Sequence, residues 1–116
     1  PQSVHRLVVL RLGPKRRTKD GKMKKAQYSH SIHRVQEKSL SASLASKRRD
    51  YPRAEVILDL ETPNSMNLFN RFKEKYSRRI DWDGIYVLPI GTYDESKLIR
   101  DLKKLHEKRM TDASLE

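Results

Sequence analysis

Apolar residues recur along this chain in short blocks set apart by charged stretches, and the spacing within each block predicts an element. Val4–Leu12 is rich in β-branched residues and apolar on both faces at its centre, which predicts a strand inside a sheet. Gly13-Pro14 marks its exit from the core, because Pro cannot donate to a central ladder. A return strand is expected over Tyr28–Val35. From Gln36 to Arg49, Ser39, Ser41, Ser43 and Ser46 are interleaved with Leu40, Ala42, Leu44 and Ala45. Serine competes for backbone hydrogen bonds, yet Leu40 and Leu44 share a helical face, so a short helix to about Lys47 is predicted. Asp50-Tyr51-Pro52 ends it, since the residue before Pro avoids the α region.

The second half has a clearer pattern. Ala54–Leu60 alternates as a strand, with Val56, Leu58 and Leu60 on one face and Glu55, Ile57 and Asp59 on the other. Leu68, Phe69, Phe72 and Tyr76 follow a helical row and predict a helix over Ser65–Arg79. Asp81-Trp82-Asp83-Gly84 reads as a turn and Ile85–Ile90 as a buried strand. Thr92-x-x-Glu95 has the form of a capping box opening a helix to about Arg109, with Leu98, Ile99, Leu102 and Leu105 as its apolar stripe. The β-α-β spacing suits a right-handed crossover between parallel strands. The expected fold class is α+β: a small mixed sheet with two or three helices packed on it and a protruding basic β-hairpin arm. It forms one domain over residues 1–116, in which 13–30 is the projecting arm and 111–116 a frayed tail.

The arm comes from Lys15–Lys25, where seven of eleven residues are Lys or Arg. Asp20-Gly21 is a favoured centre for a two-residue type I′ turn. That register sets Lys19 against Lys22, Arg17 against Lys24 and Arg16 against Lys25; continued inward, it pairs Val9 with Ile32, Val8 with His33 and Gly13 with Tyr28. Like charges opposite one another destabilise a β pair, so the arm is expected to order on a polyanion.

Composition places the charge. Residues 1–50 hold 14 Lys/Arg against 3 Asp/Glu and so carry the entire net +11, while residues 51–116 balance at 12 against 12. A neutral body with a basic attachment points to nucleic acid. An anionic membrane is a weaker partner, because no Trp, Phe or Leu is interleaved with the cations to enter an interface. With no cysteine, disulfides and thiolate metal sites are excluded. No apolar run approaches the roughly 20 residues that span a bilayer, and Pro-Gln-Ser-Val is not the start of a secretory signal. An intracellular location is expected, with the compartment open.

The candidate nucleic-acid-binding residues are Lys15, Arg16, Arg17, Lys19, Lys22, Lys24, Lys25, Tyr28, Arg34, Lys47, Arg48 and Arg49. The cations would contact phosphates, and Tyr28 would stack on an unpaired base or pack on the sheet. His30-x-x-His33 does not read as a metal site, since its two side chains point to opposite faces of a strand. Asp59-Leu60-Glu61 at a strand end resembles the first Asp-x-Glu motif of DEDD-type exonucleases. That resemblance implies carboxylates holding divalent metals, with Asp81 and Asp83 as further ligands. The sequence favours a non-catalytic RNA-binding protein with no cofactor, in a ribosome or other ribonucleoprotein among other proteins. The alternatives are a DNA-binding accessory or regulatory protein with a β-ribbon arm, and a metal-dependent nuclease using Asp59, Glu61, Asp81 and Asp83.

Overall fold

A computed structural model of the chain describes residues 4–16, 23, 24 and 27–115. The strand β1 (His5–Arg11) is flanked on both sides, as its two apolar faces require. After it come the short strands β2 (Lys15–Arg16) and β3 (Met23–Lys24), then the return strand β4 (His30–Gln36). The chain continues through helix α1 (Glu37–Asp50), strand β5 (Glu55–Thr62) and helix α2 (Ser65–Lys75). The hairpin β6 (Ile80–Asp83) and β7 (Tyr86–Pro89) and the helix α3 (Glu95–Leu115) complete it. Five strands form one sheet in the order β5-β1-β4-β7-β6, and β2 and β3 form a separate two-stranded ladder.

The α+β class is as the sequence predicts, and so is the register at the base of the arm: Val9 pairs with Ile32 and Val8 with His33. Among the described residues every ladder is antiparallel. The parallel crossover is therefore corrected. β5 and β7 are not neighbours, because the β1/β4 hairpin lies between them, and α2 carries the chain from one sheet edge to the other. The missed strand is β6. Ile80–Asp83 pairs with β7, and the turn falls at Gly84-Ile85, where Gly84 has φ +60° at the first central position. Glycine at that position is the requirement of a II′ turn.

Helices cover both sheet faces. Leu7, Val9, Ile32, Leu58, Leu68, Phe72, Val87, Leu98 and Leu102 bury together between the sheet and α2 and α3. Val8, Leu10, Leu12, Tyr51 and Ala54 form a smaller core on the α1 side. A bulge on β5 breaks the predicted alternation: Val9 pairs with Leu58 but Leu10 with Val56, so Ile57 is the extra residue. Val56 is thereby turned off the face of Leu58 and Leu60 and stays 41% exposed.

The helix ends also differ from expectation. α2 stops at Lys75 rather than Arg79, because Tyr76 to Arg79 form a turn with the Arg79 N–H donating to the Tyr76 carbonyl. The side chain of Asp94, not Thr92, caps α3 by accepting from the Lys97 N–H at 3.0 Å. That helix runs past Arg109 to Leu115, through all but the last residue of the segment expected to fray.

Candidate nucleic-acid interface

The arm begins where β1 leaves the sheet. Leu12 still donates to the Ser29 carbonyl, and Gly13 then takes φ +69°, which lets the chain turn away from the core. Lys15 pairs with Lys24 and Arg16 with Met23. This is two residues out of step with the register that centres a turn on Asp20-Gly21, so the predicted pairs Arg17–Lys24 and Arg16–Lys25 are corrected. The turn itself, with Arg17, Lys19, Lys22 and Lys25, lies outside the described residues. Cation still opposes cation at Lys15 and Lys24, which weakens an isolated ladder.

β2 lies against α1. α1 starts where β4 ends and runs back towards the end of the sheet from which the arm springs. Arg48 and Arg49, exposed in its last turn, therefore reach the neighbourhood of Lys15 and Arg16. Their charge also suits the negative end of the helix dipole. Arg53, just beyond the helix, joins them: its Cβ lies 3.5 Å from where a side chain on Gly13 would begin. Sequence reasoning passed over Arg53, although a cation directly after Tyr51-Pro52, where the helix must end, was a usable signal.

Other candidates are placed elsewhere. The Lys47 ammonium is hydrogen-bonded to the Tyr86 hydroxyl and lies 4.7 Å from that ring's centre, so it is engaged within the protein. Tyr28 is half-buried and tilted against Tyr86 at 6.2 Å, a packing role. Arg34 lies on the other face of the sheet, its guanidinium 4.4 Å above Phe69 and its Nη1 3.2 Å from Met66 Sδ. The structure thus packs the strand of Lys15 and Arg16 against the helix that ends in Arg48 and Arg49, and does not bring Arg34 to them.

The histidines do point to opposite faces. His33 is buried beneath α1 with Ser31 Oγ 2.8 Å from its Nε2. Burial first, then Lys47 and Arg34, push its pKa down to about 4. On the other face His30 lies 2.8 Å from Glu95, which Arg11 grips with two nitrogens at 2.8 and 2.6 Å. Arg11 and His30 outweigh burial and hold the Glu95 carboxyl at about 2.

The carboxylates do not form a nuclease site. Asp59 and Glu61 are on β5 and Asp81 and Asp83 on β6, the opposite edges of the sheet, with three strands between. Arg6 binds Asp59 at 3.0 Å and Glu61 at 3.5 Å, which makes those two acids ion-pair partners. Among the described residues no group of three His, Cys, Asp or Glu is arranged to hold a metal ion. Among the described residues no helix is long and apolar enough to cross a membrane.

A family model described as "Protein of unknown function (DUF3627)" matches residues 1–83, the stretch that holds the arm, α1 and Arg53. The chain is 33% identical over 114 residues to a KilA-N domain-containing protein of Acanthamoeba polyphaga mimivirus, covering 95% of this chain and 23% of that one. A second KilA-N domain-containing protein of the same virus is 28% identical over 122 residues, covering 95% and 24%. A third is 29% identical over 118 residues, covering 95% and 39%. The chain therefore spans about a quarter of the length of the first two relatives. No solved structure matches.

Proposed function

The chain belongs to the DUF3627 family, and we propose that it is a nucleic-acid-binding domain whose target is DNA, gripped through phosphates by the arm and the C-terminal turn of α1. The observation that carries this reading is the contact of β2 with α1, which gathers Lys15, Arg16, Arg48 and Arg49 at one end of the molecule. Phosphate contacts of this kind supply affinity and position rather than sequence readout.

DNA is preferred because the relatives are KilA-N domain-containing proteins, and KilA-N is a DNA-binding domain family. Since the match covers only part of each relative, that support comes from what the relatives contain rather than from this domain alone. The ribosomal RNA reading has no support among the relatives. The domain serves as an accessory DNA-binding unit, with no catalytic role.

Fluorescence anisotropy at fixed salt, with duplex DNA competing against a structured RNA of equal charge, tests the reading. DNA should win, and log Kd should rise with log salt at a slope near 5 for about six phosphate contacts. Replacing Lys15, Arg16, Arg48 and Arg49 together by Ala should remove about three to four units of that slope. An unchanged slope in the quadruple variant, or tighter binding to the RNA, would refute the proposal.

A further inference from the structure

A single row of pairings marks one level across the sheet. Glu55 pairs with Arg11, Arg11 with His30, His30 with Val87 and Val87 with Trp82. Beyond this row, towards the end where the arm leaves, lie Gly13 beside Arg53 on one side and Pro89 paired with Ile80 on the other. There the Ile90 N–H donates to the Arg79 carbonyl at 3.0 Å. The turn after α2 thus delivers Arg78 and Arg79, both exposed, to the same end of the sheet as Arg53 and the arm.

From the β5 edge to the β6 edge this end spans four strand spacings, roughly 19 Å. Of the acids near it, Glu55 and Glu95 share Arg11 and Asp94 caps α3, while the exposed Asp50 and Asp81 stand among more numerous cations. The span exceeds the roughly 12 Å width of a major groove, so cations along it can meet phosphates of both strands. Single-strand binders need open rings on which bases stack. The chain has five Tyr, two Phe and one Trp, and none of them is exposed.

We propose that Arg53, Arg78 and Arg79 extend the arm into a phosphate-binding rim across the whole end of the sheet, and that its ligand is a duplex held on both strands. This rests on the nucleic-acid reading above and adds residues from the half of the chain whose net charge is zero.

The test is salt-dependent binding of the full chain to a 20-base-pair DNA duplex and to one of its single strands. Wild type should bind the duplex at least about tenfold tighter than the single strand. Arg78→Ala/Arg79→Ala should lower the duplex slope by close to two units with the arm intact, and Arg53→Ala by close to one. Lys38→Ala, an exposed cation in the first turn of α1 at the far end of the sheet, should change it by much less. The rim is overturned if the double variant keeps the wild-type slope, if Lys38→Ala costs as much per charge, or if the single strand binds as tightly as the duplex. Wild type that binds neither DNA would overturn the nucleic-acid reading and the rim together. Binding with an unchanged slope in the double variant would overturn the rim alone.

Discussion

His33 stands under α1 with two cations near it and a serine as its hydrogen-bond partner. Its ring is neutral in the fold and takes up a proton readily once unfolded, because its folded pKa lies near 4 against an ordinary 6.5. Below pH 6.5 the unfolded chain therefore binds more protons, and stability falls as pH drops from about 6.5 to about 4. The shift corresponds to a loss on the order of 3 kcal/mol across that window. Urea titrations at half-unit pH steps should show this slope, and His33→Gln should flatten it; an equal slope in the variant would assign the effect to another group. Glu95 has the same sign at lower pH, since Arg11 and His30 favour its charged form and that stabilisation is lost as pH falls towards about 2. The sequence places both histidines on opposite faces correctly. The partners that set these pKa values come from 65 and 84 residues away for Glu95, which no local pattern contains.

Among the helices, α1 has the weakest apolar anchorage to the sheet. None of its residues is buried, and its packing rests on the half-buried Leu40 and Leu44 over the smaller core. α2 by contrast buries Leu68, Phe69 and Phe72. Local opening should follow that difference. Hydrogen exchange should show α1 amides opening at a free energy at least about 1–2 kcal/mol below those of β1 and β4. Equal protection would mean that Leu40, Leu44 and the Lys47–Tyr86 contact hold α1 as firmly as the ladder holds β1 and β4. Bound duplex should slow exchange in its last turn, where Arg48 and Arg49 lie. The weak amphipathicity that makes α1 hard to recognise in the sequence is the same property that leaves it loosely anchored. β6 departs from its local pattern for another reason: Asp-Trp-Asp-Gly satisfies turn chemistry, but Trp82 gains more by packing edge-on against Phe69 and Phe72 at 5.8 and 5.9 Å.

At the scale of the molecule, two sheets do separate jobs. The five-stranded sheet with its two cores carries the stability, and the β2/β3 ladder extends from it without sharing a strand. Replacing residues 16–25 by a Gly-Gly link should therefore leave the body folded. A thermal midpoint within about 4–8 °C of wild type is expected, the shift that about 1 kcal/mol produces in a domain of this size. A collapse of cooperative unfolding would show that the arm belongs to the core. With Arg48, Arg49, Arg53, Arg78 and Arg79 still in place, the shortened chain should keep weak, salt-sensitive duplex binding rather than none.

The sequence by itself determined, through apolar periodicity, that this chain makes a sheet with helices and that a return strand pairs back on β1. It also confined the net charge to the first half, because composition is independent of folding. Tertiary structure decided the rest. Strand order depends on which hydrophobic faces compete for β1 and β4, and that competition put β5 and β6 at opposite edges and separated the carboxylates. Which cations share an end depends on the directions in which α1 and α2 run across the sheet. Arg53 is beside the arm for that reason, whereas Arg34 is remote because its place on β4 turns it to the α2 face.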